Sequence, residues 1–204
     1  MDGVFMKKLL LICAFVCLLF VGSCFLTKQE LQDNVIRLHV VANSDSTGDQ
    51  ARKLLVKDAV VDYLNHILLD AKTIEETQII LENNLLAIQA VANGVLMENG
   101  SAHTAEVSLA REAFDTRHYD TFSLPAGVYS SLRVCIGEAQ GKNWWCVVFP
   151  SLCLPATTDG FADTAAGAGF DDAMTGSLTG DKRYKVRFFI MDCLGKLENL
   201  FFWW

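Results

Sequence analysis

Residues 7–26 constrain this chain more than any other segment. Lys7 and Lys8 are followed by an unbroken apolar run from Leu9 to Val21, and then by the small residues Gly22 and Ser23. A positive start, an apolar middle and a small-residue exit form the three-part pattern of a secretory signal. A helix buried in a soluble core would not require the paired lysines or the terminal position. Extended to Leu26, the run reaches about 18 residues, the lower limit for crossing a bilayer. Residues 1–26 therefore read as a signal peptide that is removed or as an anchor that is kept. Val21-Gly22-Ser23-Cys24 also resembles a lipoprotein box, with Cys24 as a candidate lipid acceptor.

Beyond the leader, the chain has the length of one domain and the composition of a globular one. Of the 204 residues, 51% are hydrophobic and 20% charged, enough apolar side chain to build a core. The net charge is −7, and the leader contributes +1 through Lys7, Lys8 and Asp2, leaving about −8 for the rest. Such a domain repels phosphate backbones, which argues against a nucleic-acid partner. It also has no polybasic patch for an anionic lipid surface.

Residues 27–34 read as a short polar linker. Val35–Ala42 alternates and is rich in β-branched residues, the pattern of a strand. Asn43–Gly48 breaks it, and Ser46 with Asp49 three residues on predicts a helix over about 49–69, with Val56, Val60, Tyr63, Leu64 and Ile67 on one stripe. Thr73 with Glu76 predicts a capping box and a second helix from Ile74 to about Met97, closed by Asn99-Gly100. The remainder reads as β-rich, beginning with His103–Ala110.

Tyr129–Gly137 and Trp144–Phe149 predict a hairpin that places Cys135 opposite Cys146 and sets Leu132, Val134 and Ile136 against Phe149, Val147 and Trp145. In that arrangement Trp145 fills the core and Trp144 stands on the outer face. Residues 156–182 are rich in Gly, Ala, Asp and Thr and read as a flexible insert. Tyr184–Met191 reads as a strand returning to the sheet, within a C-terminal segment 183–204 that ends in aromatic residues. The expected fold is α+β: a strand, two amphipathic helices, then a mostly antiparallel sheet with a Trp-rich hairpin.

The chain offers little catalytic vocabulary. It has no G-x-S-x-G elbow, no H-E-x-x-H and no phosphate loop. Its four histidines are scattered among different elements, none at metal-ligand spacing from another, and no cofactor motif or small-molecule site is evident. Cys146 or His39 would be the residues to serve a cell-envelope hydrolase, yet Cys146 follows two tryptophans in a strand, where burial makes a thiol inert. A passive envelope lipoprotein acylated at Cys24 is a further alternative. A disulfide joining Cys146 to Cys153 would tie the end of the hairpin to the outgoing loop. Cys135–Cys146 and free thiols are the other possibilities. Arg133, Asn143 and Trp144 are candidates for contact with a partner, since exposed aromatics anchor interfaces.

Four strings, taken in order, carry a resemblance. They are Ile36–Ser46 (IRLHVVANSDS), Leu124–Gly127 (LPAG), Leu132–Val134 with Ile136–Glu138, and Gly141–Val147 (GKNWWCV) continuing through Phe149-Pro150 and Leu152-Cys153. Over residues 35–155 the chain resembles the stage II sporulation protein R family of endospore-forming Firmicutes. The resemblance implies a signalling protein without catalytic residues. It implies export from the forespore into the space between the forespore and mother-cell membranes. The implied partner is a membrane-embedded aspartic protease of the mother cell, which removes the pro-sequence of pro-sigma-E. Cys146 and Cys153 match the family's paired cysteines, which supports a bridge between them. The segment before Tyr184 and the aromatic tail Phe201–Trp204 match no motif of the family.

Overall fold

The computed structural model describes residues 3–119, 122–150, 165, 167 and 170–202. Helix α1 (Gly3–Asp33) leads into strand β1 (Ile36–Val41), helix α2 (Thr47–Ile67) and helix α3 (Ile74–Glu98). Strands β2 (Ala105–Phe114), β3 (Arg117–His118), β4 (Ser123–Leu124), β5 (Gly127–Ile136) and β6 (Asn143–Phe149) come next. Helix α4 (Asp172–Leu178) and helix α5 (Lys185–Phe201) complete the described chain. The fold is α+β, as expected.

The helix signals act where the sequence places them. The Ser46 hydroxyl accepts the Asp49 N–H at 3.1 Å, and the Thr73 hydroxyl accepts that of Glu76 at 3.2 Å. The Glu76 carboxylate does not close the box on Thr73; it accepts from the Lys72 N–H at 2.9 Å. Val56, Val60 and Leu64 of α2 and Leu81, Ile88 and Ala92 of α3 are fully buried, each side chain worth about 1–3 kcal/mol of apolar burial.

The four-stranded sheet has the order β2-β5-β1-β6, with β1 parallel to β5 and antiparallel to β6. This overturns the expected hairpin. β5 and β6 do not pair, because β1 lies between them, with Val41 opposite Cys135 on one side and Leu38 opposite Cys146 on the other. The connection between β5 and β6 passes over the end of β1, where the Gln140 and Gly141 N–H groups donate to the Asn43 and Ala42 carbonyls at 3.1 and 2.9 Å. Gly137 makes that passage possible: its φ is 57°, and a Cβ there would lie 2.3 Å from Asn43 Oδ1. Every residue of β1 is buried, so this apolar strand is satisfied best with a neighbour on each side.

The inserted strand also changes which faces the tryptophans occupy. Ile36, Leu38 and Val40 share one core with Leu132, Val134, Ile136, Cys146 and Val148 under α2 and α3, and the half-buried Trp144 packs on it. Trp145 and Val147 point the other way, into a second core with Leu31, Val35, Phe114, Leu124, Tyr129 and Met191. Trp145 thus packs into a core as expected, though the second one, while Trp144, expected on an outer face, packs on the first core.

The ends of the chain build that second core. Residues 27–33, expected as a linker, are the last turns of α1. Here Leu31 and Gln32 have no exposed surface and Lys28 is 1% exposed. The expected C-terminal strand is helix α5, whose Met191 and Gly195 face inward four residues apart. Gly195 meets the sheet directly, since a Cβ there would stand 1.6 Å from the Ala126 carbonyl oxygen. Lys28 donates to Glu198 Oε2 at 2.8 Å, Gln32 donates to the same atom at 2.7 Å, and Arg187 donates to the Thr27 hydroxyl at 2.9 Å. Part of the expected insert, 172–178, is α4; residues 151–164 lie outside the described residues.

Between Val4 and Leu26 the apolar side chains of α1 are mostly exposed, Leu11, Leu18 and Leu26 each by about 70%. Two helices among the described residues, α1 and α3, are long and apolar enough to cross a bilayer. α3 sends its apolar stripe into the first core, whereas α1 presents bare hydrocarbon, as a signal or anchor does.

Candidate functional site

The alternation that sends Leu38 and Val40 under the helices sends Arg37 and His39 to the opposite face of the sheet. There they are covered rather than solvated: Arg37 is 0% and His39 7% exposed. The Arg37 guanidinium carbon lies 3.9 Å from the centroid of the Phe114 ring and 5.3 Å from that of Tyr129. Its Nη2 donates to the Tyr119 hydroxyl at 3.3 Å, while Nε and Nη1 have no acceptor among the described residues. Burial, with some help from the nearby Arg117, pulls the Arg37 pKa down; the Tyr119 and Tyr129 phenols act in the opposite sense.

His39 stacks on Trp145 with ring centroids 3.7 Å apart, and its Nδ1 lies 3.2 Å from both oxygens of Glu112. Arg133, paired with His39 across the β1–β5 ladder, brings Nε to 3.4 Å from Glu112 Oε1. Burial raises the Glu112 pKa, but the hydrogen bond with His39 and the charges of His39 and Arg133 outweigh it and hold the carboxyl below its ordinary value. Phe114 pairs with Gly127 at the far end of β2, yet its ring reaches Trp145 of β6 at 5.1 Å. Arg117 completes the group: its guanidinium carbon lies 5.1 Å from the Trp145 ring, and its Nε is buried without an acceptor among the described residues. The result is a cationic, aromatic-walled cluster in an acidic chain.

The candidates read from sequence divide among several places. Arg133 belongs to this cluster, its side chain 43% exposed. Asn143 is exposed at the start of β6, on the same face as Trp145. Trp144 projects from the opposite face, with Lys57 Nζ 5.1 Å from its ring. Cys146 is buried in the first core, on the far side of the sheet from His39, so the two form no thiol–imidazole pair. Cys135 is a free thiol, which removes the Cys135–Cys146 bridge. Cys153 lies outside the described residues. Cys24 is fully buried in the second core, and its sulfur would have to leave that packing to carry a lipid. Sequence reasoning passed over Arg37, Glu112 and Arg117, and gave Trp145 a packing role alone. The available signal was the alternation of β1, which sets Arg37 and His39 on one face.

Comparison with known proteins respects the same boundaries. Residues 32–159, from the end of α1 to just past β6, match the family described as stage II sporulation protein R. Stage II sporulation protein R of Bacillus subtilis (strain 168) is 33% identical over 169 residues, covering 77% of this chain and 75% of that protein. No solved structure matches the chain. The match takes in the whole sheet, both helices of the first core and every residue of the cationic cluster: this is a sporulation protein, and the chain belongs to the stage II sporulation protein R family.

Proposed function

We propose that this chain is an exported signal of sporulation and not an enzyme. It is made in the forespore and delivered into the space between the forespore and mother-cell membranes. There it binds a membrane-embedded aspartic protease of the mother cell and shifts it to the active state, so that the pro-sequence of pro-sigma-E is removed. The observation that carries this reading is the order of parts: a family-matched domain at residues 32–159 directly behind a helix of bilayer length. The separation of Cys146 and His39 on opposite faces supports a binding role over a hydrolytic one. A binding protein activates a second protein only by preferring its active state; a tenfold bias requires about 1.4 kcal/mol of differential affinity.

Within this reading, Arg133 and Asn143 contact the protease from the face that carries Trp145, and Trp144 supports the end of β6 from behind. A Cys146–Cys153 bridge ties that strand to the segment after Pro150. Co-expression of the chain with the protease and pro-sigma-E in a non-sporulating host tests the proposal. Processing should depend on the chain being present and exported. Equal processing without it, or with a leaderless form retained in the cytoplasm, would remove the signalling role.

A further inference from the structure

We infer that Arg37, with Arg117 and Arg133 around it, is the seat of a carboxylate supplied by another molecule. This assignment does not depend on the sporulation reading.

The first argument is charge. Arg37 is among the largest fully buried side chains of the protein, and no carboxylate among the described residues pairs with it. Removing a guanidinium from water costs several kcal/mol unless an opposite charge meets it. The faces of Phe114 and Tyr129 repay part of that cost as cation–π contacts, of order 1–2 kcal/mol each at best. Among the described residues its hydrogen-bond acceptor is the Tyr119 hydroxyl, at a long 3.3 Å.

The second argument is the number of donors without acceptors. Arg37 Nε and Nη1 and Arg117 Nε are all buried and unpartnered among the described residues. Native proteins leave few such groups, and three close together point to an absent acceptor. Among the described residues the carboxylate in the cluster is that of Glu112, which is already committed to His39 and Arg133. Water would satisfy the N–H groups but leave the charge uncompensated.

The third argument concerns the kind of anion. Only one cation here is wholly buried; Arg117 is half-buried and Arg133 is 43% exposed, so solvent screens both. One buried positive charge between aromatic walls matches a monoanion, whose desolvation costs far less than that of a phosphate dianion. A carboxylate has that charge and accepts hydrogen bonds from a guanidinium in its plane.

The test uses the full-length chain in detergent micelles, with thermal unfolding followed at constant ionic strength. Sodium acetate should raise the midpoint saturably above sodium chloride. Inorganic phosphate should raise it less than acetate. A dipeptide with blocked termini and one glutamate is compared with its glutamine analogue to locate the source. Tighter binding of the glutamyl peptide than of acetate assigns the carboxylate to a protein partner, and equal binding assigns it to a free small acid.

Arg37→Met should abolish the acetate response and, by removing an unpaired charge, raise the midpoint of the unliganded protein. Arg117→Gln, at a half-buried position, should weaken acetate binding about fivefold while the chain stays folded. In wild-type protein, the Arg37 Nε–H resonance should move on acetate addition even if Arg37→Met does not fold. The proposal is overturned if acetate acts no differently from chloride, if phosphate surpasses it, or if Arg117→Gln binds acetate as wild type does.

Discussion

The imidazole of His39 lies nearly flat on the indole of Trp145, with ring planes 22° apart, while its Nδ1 faces the Glu112 carboxylate. This contact joins the central strand to β6 on one side and, through Glu112, to β2 beyond β5 on the other. Because Glu112 is held below its ordinary pKa, the stability it contributes is complete above the unfolded value of about 4.3. That stability is lost as the pH falls through the lower folded value. Glu112→Gln should therefore be less stable than wild type at pH 7, by an amount of order 1 kcal/mol, and should lack part of the acid slope. Urea unfolding at pH 7 and at steps below pH 5 measures this. Parallel curves for the two proteins at all pH values would mean that Glu112 is not coupled to folding.

Gly195→Ala should detach α5. The added carbon would overlap the Ala126 carbonyl, which is backbone and has no room to yield. We expect a loss of about 1–3 kcal/mol and faster amide exchange along Lys185–Phe201. Exchange unchanged in that helix would show that α5 docks elsewhere.

The proposed Cys146–Cys153 bridge has a direct chemical readout. In the exported protein, unfolded without reductant, alkylation should reach Cys135 and Cys193 but leave Cys146 and Cys153 until reductant is added. Before unfolding, Cys135 should label slowly, since burial pushes its thiol pKa up against the lowering effect of Arg133. Labelling of all four without reductant would eliminate the bridge.

Contact and packing roles on β6 are separable by substitution. Trp144→Ala should cost about 2 kcal/mol, because that ring packs on the first core. Arg133→Ala with Asn143→Ala should cost about 1 kcal/mol, since Asn143 is exposed and Arg133, 43% exposed, gives up a partly solvated ion pair with Glu112. In the co-expression assay the double variant should nonetheless lower pro-sigma-E processing several-fold at equal protein level. Normal processing by that variant would remove this face of the sheet from the contact surface.

The local rules were legible in the sequence, and the long-range ones were not. Ser46 and Thr73 announced both helix starts because a cap is chosen by neighbours three residues away. The insertion of β1 between β5 and β6 left no local mark. Two strands joined by six residues look like a hairpin whether they touch or straddle a third, and parallel pairing of Leu38 with Leu132 has no turn chemistry to signal it. Residues 184–191 were ambiguous because a short apolar run suits strand and helix alike. The deciding contact, Gly195 on Ala126, lies beyond that window. Arg37 was overlooked for a related reason. On a strand with one wet face an alternating arginine is unremarkable, and only the rings of Phe114, Tyr129 and Tyr119, brought over from distant parts of the chain, reveal it as a buried charge.

The position of β1 also governs when the domain can form. Its first hydrogen-bonding neighbour lies some ninety residues downstream and its second more than a hundred, so the sheet has no centre until nearly all of it has been synthesised. A polypeptide threaded through a narrow pore must stay unfolded until it emerges. In this topology the earliest strand waits, without partners, for the last one, and under the export proposed above the delay that slows folding would keep the thread loose enough to pass.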